Sequence, residues 1–266
     1  MPPAVVADPE LVRSPRPTRP RIPHLHLGAA AHAADLKLDV AHGPDSIPSP
    51  TRAVPIRSGR RTKIDAMIPG VILAAGLSTR MGRSKAALTL VGPDPDTFLV
   101  RIIRTFHEAG VEDVVVVLGH QAEAAAEPVL RSGLAVRVVL NPRYESGQLS
   151  SVLAGLAAVD RPGVRAMLMT LVDVPLVAAS TVRAVVERFR ATGAPVVRPV
   201  HGSRHGHPVA IGRSLFNAIR MADPQVGAKP IVRAHVSLAG DVDVEDEGAF
   251  LDVDTPEDYA SLLGTR

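Results

Sequence analysis

From Ile68 onward, apolar residues along this chain fall into two alternating rhythms. Short unbroken runs, "GVILAAG", "DVVVVLGH", "LAVRVVLNP" and "RAMLMTLVDVP", read as strands buried on both faces. Between them the period lengthens to that of a helix. In "FLVRIIRTFHEAG", Leu99, Ile102, Ile103 and Phe106 recur at i, i+3, i+4 and i+7, and Gly110 closes the segment. "QAEAAAEPVLRSG", "SSVLAGLAAV" and "STVRAVVERFRATG" predict three more helices, the last with Val182, Val185, Val186 and Phe189 on one face and Ser180 as its N-cap. "APVVRPV" predicts a strand, "LFNAIR" and "AKPIVRAH" short helices, and "AFLDVD" a last strand ending at Asp254. The terminal helix "TPEDYASLL" carries Thr255 as N-cap and Pro256 in first position. Strands alternating with helices predict an α/β fold over residues 67–266, a single doubly wound, mainly parallel sheet with helices on both faces. Ligands on such sheets bind at the carboxyl ends of the strands.

Residues 1–66 follow neither rhythm. They hold 11 of the 24 prolines, as in "RSPRPTRPRIPHLHL", and are expected to form a disordered Pro/Arg-rich extension, with Met67 a plausible natural start. Arg60-Arg61 invites an export reading, but the apolar run that follows is the first strand of the fold. Asp8, Glu10, Asp35, Asp39 and Asp45 argue against a transit peptide. The segment also explains the charge. Ten of the 30 Lys+Arg and six of the 27 Asp+Glu lie there, leaving 20 basic against 21 acidic residues in 67–266. No nucleic-acid partner is therefore expected for the folded part. The absence of cysteine excludes disulfides, zinc–thiolate sites and cysteine nucleophiles, and no apolar run is long enough to span a membrane. A cytoplasmic chain without a membrane partner is the expectation.

Candidate chemistry begins where the first strand ends, in "GVILAAGLSTRMGRSKAAL". The spacing is strand–AAG–x5–G–x2–K. It is neither the dinucleotide pattern GxGxxG nor the phosphate loop GxxxxGK[ST]. Leu73, Ala74, Ala75 and Gly76 let a base or sugar approach the backbone, and amides of residues 76–82, including Ser78 and Gly82, could cradle phosphate oxygens. Lys85 is a cation with reach. An ordinary solvated βα loop is the plain alternative. Asp173 ends a buried strand before Pro175 and projects from the sheet's carboxyl edge, although a turn aspartate would look the same. In "GQLSSVL", Gly147 permits close approach, and Ser150 or Ser151 could bond a pyrimidine edge or ribose; Ser150 could equally be an N-cap. Asn141, Pro142 and Tyr144 shape the turn before it, where Tyr144 either stacks on a ring or packs on the surface. His201, His205 and His207 suggest zinc only weakly, because Gly202 and Gly206 intervene and no acidic fourth ligand is evident.

These segments together resemble the molybdenum-cofactor cytidylyltransferases. "LAAGLSTRMGRSKAAL", "NPRYESGQLSSVLAGL", "LVDVPLV", "RHGHPVAI", "VGAKPIV" and "LDVDTPEDY" occur in that family's order, from about Ile68 to Leu263. The resemblance implies a nucleotide-diphospho-sugar transferase-like fold. It also implies Mg²⁺-dependent transfer of CMP from CTP to the phosphate of molybdopterin, with release of pyrophosphate. By the resemblance Arg80 and Lys85 serve the triphosphate, and Asp173 and Asp254 hold Mg²⁺, two carboxylates and phosphate oxygens being suitable hard ligands. Asp252 is the backup ligand, expected to point away from that pair. His207 and Lys229 are placed on the acceptor, and a recipient molybdoenzyme is a further partner. Two positions depart from the family pattern: Val172 stands where glycine often precedes the metal aspartate, and Lys229 where arginine is common. A guanylyltransferase, a cytidylyltransferase for a sugar or polyol phosphate, and a non-catalytic cofactor-handling module are the alternatives. "LAAG" fits the cytidine branch, since a guanine-specific relative would more often read "LAGG".

Overall fold

The computed structural model describes residues 67–92 and 95–264, so the extension expected over residues 1–66 lies outside the described residues. Four parallel strands form the heart of the sheet: β1 (Gly70–Ala74), β2 (Val114–Leu118), β3 (Arg137–Leu140) and β4 (Ala166–Leu171). The sheet continues through β5 (Val196–His201), β6 (Arg204–His205), β7 (Val209–Gly212) and β8 (Asp241–Asp243). Its order is β3-β2-β1-β4-β7-β5-β6, with β8 beside β5. β7 runs antiparallel to both β4 and β5, which makes the sheet mixed but mostly parallel. β1 lies between β2 and β4, so the winding reverses there and the loops after β1 and β4 open a crevice between them.

Among the described residues seven helices accompany this sheet: α1 (Phe98–Glu108), α2 (Ala122–Ser132), α3 (Gln148–Val159), α4 (Ala179–Thr192), α5 (Phe216–Arg220), α6 (Lys229–Ala234) and α7 (Pro256–Gly264). Alternate strand residues feed two separate apolar layers. Ile72, Val114, Val116 and Leu168 pack with α1, α2 and α4, whereas Val71, Val115, Val117 and Met167 pack with α3 and α5. Both faces are therefore buried, which is why the strands read as continuous apolar runs. Leu99, Ile102, Ile103 and Phe106 of α1 are all fully buried, each contributing about 1.5–3 kcal/mol. Gly155 lets α3 sit directly on the sheet, because a Cβ there would lie 2.5 Å from Val71 Cγ1. Among the described residues no helix is long and apolar enough to cross a membrane.

Two expectations are corrected. "AFLDVD" forms no strand: Glu247–Ala249 is a 3-10 turn, residues 250–254 run without sheet pairing, and the strand of this region is β8, parallel to β5. Ser180 does not cap α4. The N-cap is Ala178, and a carboxylate distant in sequence does the work, Asp246 Oδ2 accepting from the Ala178 amide at 2.8 Å and the Thr181 hydroxyl at 2.7 Å.

Candidate active site

The crevice is built by a small satellite core. Met81 from the loop after β1, Leu88, Phe98 and Val253 are buried together, so the β1 loop and the 251–254 segment are pinned to the same apolar cluster. The Val253 amide also donates to the Asp173 carbonyl at 2.8 Å, tying that segment to the end of β4. Asp254 is fixed from its other side by α7. Thr255 Oγ1 accepts from the Asp258 amide at 3.2 Å, while Asp258 Oδ2 accepts from the amides of Thr255 at 2.8 Å and Asp254 at 3.0 Å. This is a reciprocal capping box, with Thr255 as N-cap as the sequence predicts.

These restraints bring Lys85, Asp173, Asp254 and Arg80 together. Lys85 Nζ lies 3.3 Å from Asp173 Oδ2 and also donates to Asp254 Oδ1, and Arg80 Nη2 lies 2.8 Å from Asp254 Oδ2. Lys85 is enclosed, its side chain 10% exposed, whereas Arg80 is 67% exposed and free to follow a ligand. The Lys85 hydrogen bond, aided by its charge and that of Arg80, holds the Asp254 carboxyl below the usual carboxylate range. Asp173 Oδ1 is buried and has no hydrogen-bond partner among the described residues, an unsatisfied acceptor. Two hard carboxylates with one unsatisfied oxygen fit a divalent ion that keeps several waters.

Asp252 is partly exposed and does not line the cleft that Asp173 and Asp254 share, although the charges of that pair reach it. Burial, followed by repulsion from Asp173, raises the Asp252 carboxyl, and Asp254 and Lys85 act on it as well. It therefore stands at the margin of the same cluster.

A cleft of about 370 Å³ opens over these groups, lined by Leu73, Ala74, Ala75, Gly76 and Ser78 among others, and across from them by Gly147 and Ser151. Ser78 adopts a left-handed backbone, φ 50°, and its carbonyl accepts the amides of Met81 and Gly82 at 3.0 Å each. The Gly82 amide is thus spent within the turn, and Gly82 does not line the cleft. The amides of Gly76 to Arg80 have no acceptor among the described residues, so the anion cradle is shorter than 76–82. Ser78 Oγ accepts the Lys85 amide at 3.3 Å and fixes that residue's backbone.

Across the cleft, α3 begins at Gly147, with φ 100° and ψ 172°. Ser150 is neither the N-cap nor a cleft residue. Its hydroxyl donates to the carbonyls of Arg143 at 2.9 Å and Gly147 at 2.8 Å. Buried Asn141 holds both serines, its Nδ2 donating to Ser150 Oγ at 2.8 Å and Ser151 Oγ at 3.0 Å while its Oδ1 accepts from the Arg143 amide. Ser151 thus accepts from Asn141 and keeps its own proton for a ligand in the cleft. Tyr144 lines the cleft and tilts against His120, ring centroids 5.9 Å apart.

A second cavity, about 630 Å³, adjoins the first and shares Gly147, Gln148 and Leu171 with it. His207 and Lys229 both line it, with His205 and with two residues that the sequence reading did not single out, Arg198 and Arg233. Arg198 is positioned by Asp241 on β8, Nε to Oδ1 at 2.9 Å. Burial lowers the His207 pKa against the opposing pull of Asp252 and Asp173, so the ring is neutral at neutral pH. Gly206 is needed for close approach, since a Cβ there would lie 2.2 Å from the Ala249 carbonyl oxygen. The histidines do not gather: His201 turns to Asp243 at 3.9 Å, and no group of three or more His, Asp or Glu able to hold a metal occurs among the described residues.

Comparison with known proteins gives the family. The family model described as MobA-like NTP transferase domain matches residues 70–239. The chain is 34% identical to nicotine blue oxidoreductase of Paenarthrobacter nicotinovorans, over 74% of this chain and 96% of that one. It is 31% identical to a molybdenum cofactor guanylyltransferase of Cereibacter sphaeroides, over 72% of this chain and 93% of that one. Identity to the molybdenum cofactor cytidylyltransferase of Escherichia coli is 27%, over 71% and 92% of the respective chains. Among solved structures, Rv0371c of Mycobacterium tuberculosis superposes with a TM-score of 0.62 at 29% identity, covering 74% of this chain and 97% of that one. A manganese complex of the same protein covers 75% of this chain and 100% of its own, at 27% identity and a TM-score of 0.57.

Proposed function

Because this chain belongs to the MobA-like NTP transferase family, a nucleotidyltransferase family with molybdenum cofactor cytidylyl- and guanylyltransferases among its members, we propose that it transfers CMP from CTP to the phosphate of molybdopterin with Mg²⁺. The observation that carries this reading is the meeting of Lys85, Arg80, Asp173 and Asp254 where a nucleotide-sized cleft joins a second, basic cavity.

In the proposed reaction an acceptor phosphate oxygen attacks the α-phosphorus of CTP. A new P–O–P bond forms, the bond to the β-phosphate bridging oxygen breaks, and pyrophosphate leaves with that electron pair. Charge builds on the phosphate oxygens and the leaving group, so the protein's task is positioning and electrostatics. Arg80 and Lys85 face the triphosphate, joined by the amides of residues 76–80. Asp173 and Asp254 would hold a divalent cation, which when bound would neutralise phosphate charge as a Lewis acid. Ser151, oriented by Asn141, donates to the base or ribose. Arg198, Lys229 and His207 receive the acceptor. Ala75, 2% exposed on the cleft wall, narrows the nucleotide end where a glycine would leave room, which favours a pyrimidine.

Pyrophosphate release measured with each NTP, with and without molybdopterin, tests the reading. Release from CTP only when the pterin is present is expected. Release from GTP instead would move the chain to the guanine branch. A second reading, oxidoreduction, follows from the relative named nicotine blue oxidoreductase. It requires consumption of a reductant with no pyrophosphate, and a dye-reduction assay without NTP separates the two.

A further inference from the structure

We propose that Lys85 is an internal counter-cation that keeps the Asp173–Asp254 pair closed to free divalent metal, so that metal enters together with the triphosphate. This rests on the reading of those two aspartates as the metal-holding pair. Three of their four carboxylate oxygens are engaged by the chain's own cations: Asp173 Oδ2 and Asp254 Oδ1 by Lys85, and Asp254 Oδ2 by Arg80 at 2.8 Å. Of the four, Asp173 Oδ1 alone has no partner among the described residues. An ion bridging the pair must therefore take the place of the Lys85 ammonium, because two cations enclosed between the same carboxylates repel.

Two features suit Lys85 to exchange rather than to permanent pairing. Its backbone is anchored, by the hydrogen bond its amide donates to Ser78 Oγ at 3.3 Å and by the buried neighbour Ala86, while a four-carbon stem leaves the ammonium able to swing. The open amides of residues 76–80 lie along the same cleft, so a triphosphate seated there presents Lys85 and Arg80 with a competing anion. The nucleotide thereby draws off the cations that block the metal. Coupling of this kind is reciprocal, each ligand raising the affinity for the other.

The test is Mn²⁺ binding to the metal-free, nucleotide-free protein, followed by electron paramagnetic resonance. Lys85→Met, and independently Lys85→Gln, are expected to bind Mn²⁺ about tenfold or more tightly than the unaltered chain, within the usual range of coupling between sites. Asp254→Asn in the Lys85→Met background should abolish the gain, and Arg80→Met should raise affinity by about twofold at most, since exposed Arg80 touches one oxygen of one carboxylate. Thermal melting gives a second readout: Mn²⁺ should raise the midpoint more in Lys85→Met than in the unaltered protein. Equal affinities with and without Lys85, or a gain from Arg80→Met as large as that from Lys85→Met, overturn the counter-cation role while leaving the metal pair standing. Binding that survives Asp254→Asn, or no Mn²⁺ binding by any variant, overturns the metal pair as well.

Discussion

At the scale of single residues, the site separates groups whose chemistry is visible in the sequence from groups whose direction is not. Lys85, Asp173 and Ala75 carry their meaning in type and position, and the structure places all three on one cleft. Asp252 and Ser150 do not. Asp252 lies beside Val253, which the satellite core buries against a partner drawn from 172 positions earlier, Met81. Ser150 is consumed by the turn that Asn141 organises, and Ser151 beside it is left to the ligand. Ala75 yields the sharpest prediction at this scale. Its methyl faces Gly119, where an added Cβ would lie 2.9 Å away, so the wall is closely packed. Ala75→Gly should leave the fold intact, enlarge the nucleotide end and shift kcat/KM from CTP toward GTP by about tenfold, the scale of one methyl-sized change in a pocket. Steady-state rates with both nucleotides check it, and an unchanged ratio would place nucleotide choice elsewhere.

At the scale of elements, the helices and the parallel strands were legible because each carries a complete local signal. The α1 stripe, the buried runs of β1, β2 and β4, and the capping of α7 all lie within one segment. The misreadings share a physical cause: the deciding partner is far away in sequence. α4 is capped by Asp246, beyond any window around Ser180. "AFLDVD" has strand composition, yet Val253 bonds the end of β4 and the Asp254 amide bonds Asp258, so no ladder forms. β7 and β8 are only four and three residues long, too brief to show a period. The α7 capping box allows its two halves to be tested apart. Thr255→Ala removes the acceptor of the Asp258 amide and should cost about 1 kcal/mol in denaturant unfolding, with little change at Asp254. Asp258→Ala frees the Asp254 amide and should raise the divalent metal concentration needed for half-maximal rate several-fold. Equal effects of the two variants on metal dependence would show that the helix as a whole, not the bond to Asp254, sets the carboxylate.

At the scale of the whole molecule, the sheet joins two cavities through one partition. The first cavity belongs to the β1 loop and is largely readable from one contiguous stretch. The second was only half legible, because Arg198 comes from β5, His205 from β6 and Arg233 from α6, elements that converge only in the fold. Gly147, Gln148 and Leu171 belong to both. This arrangement predicts three distinct kinetic signatures. Arg198→Ala removes a cation held against Asp241 within the second cavity and should raise KM for the acceptor about tenfold or more while leaving KM for the nucleotide unchanged. Ser151→Ala removes the donor oriented by Asn141 and should do the reverse, with a smaller change. Gly147→Ala should raise both. Its φ of 100° and ψ of 172° lie where an L-residue is strained by about 1–3 kcal/mol, and relief of that strain moves the start of α3, the wall common to the two cavities. Varying each substrate in turn while following pyrophosphate separates the three patterns. If Gly147→Ala changed only one KM, the two cavities would not act through a shared wall, and the start of α3 would belong to a single substrate.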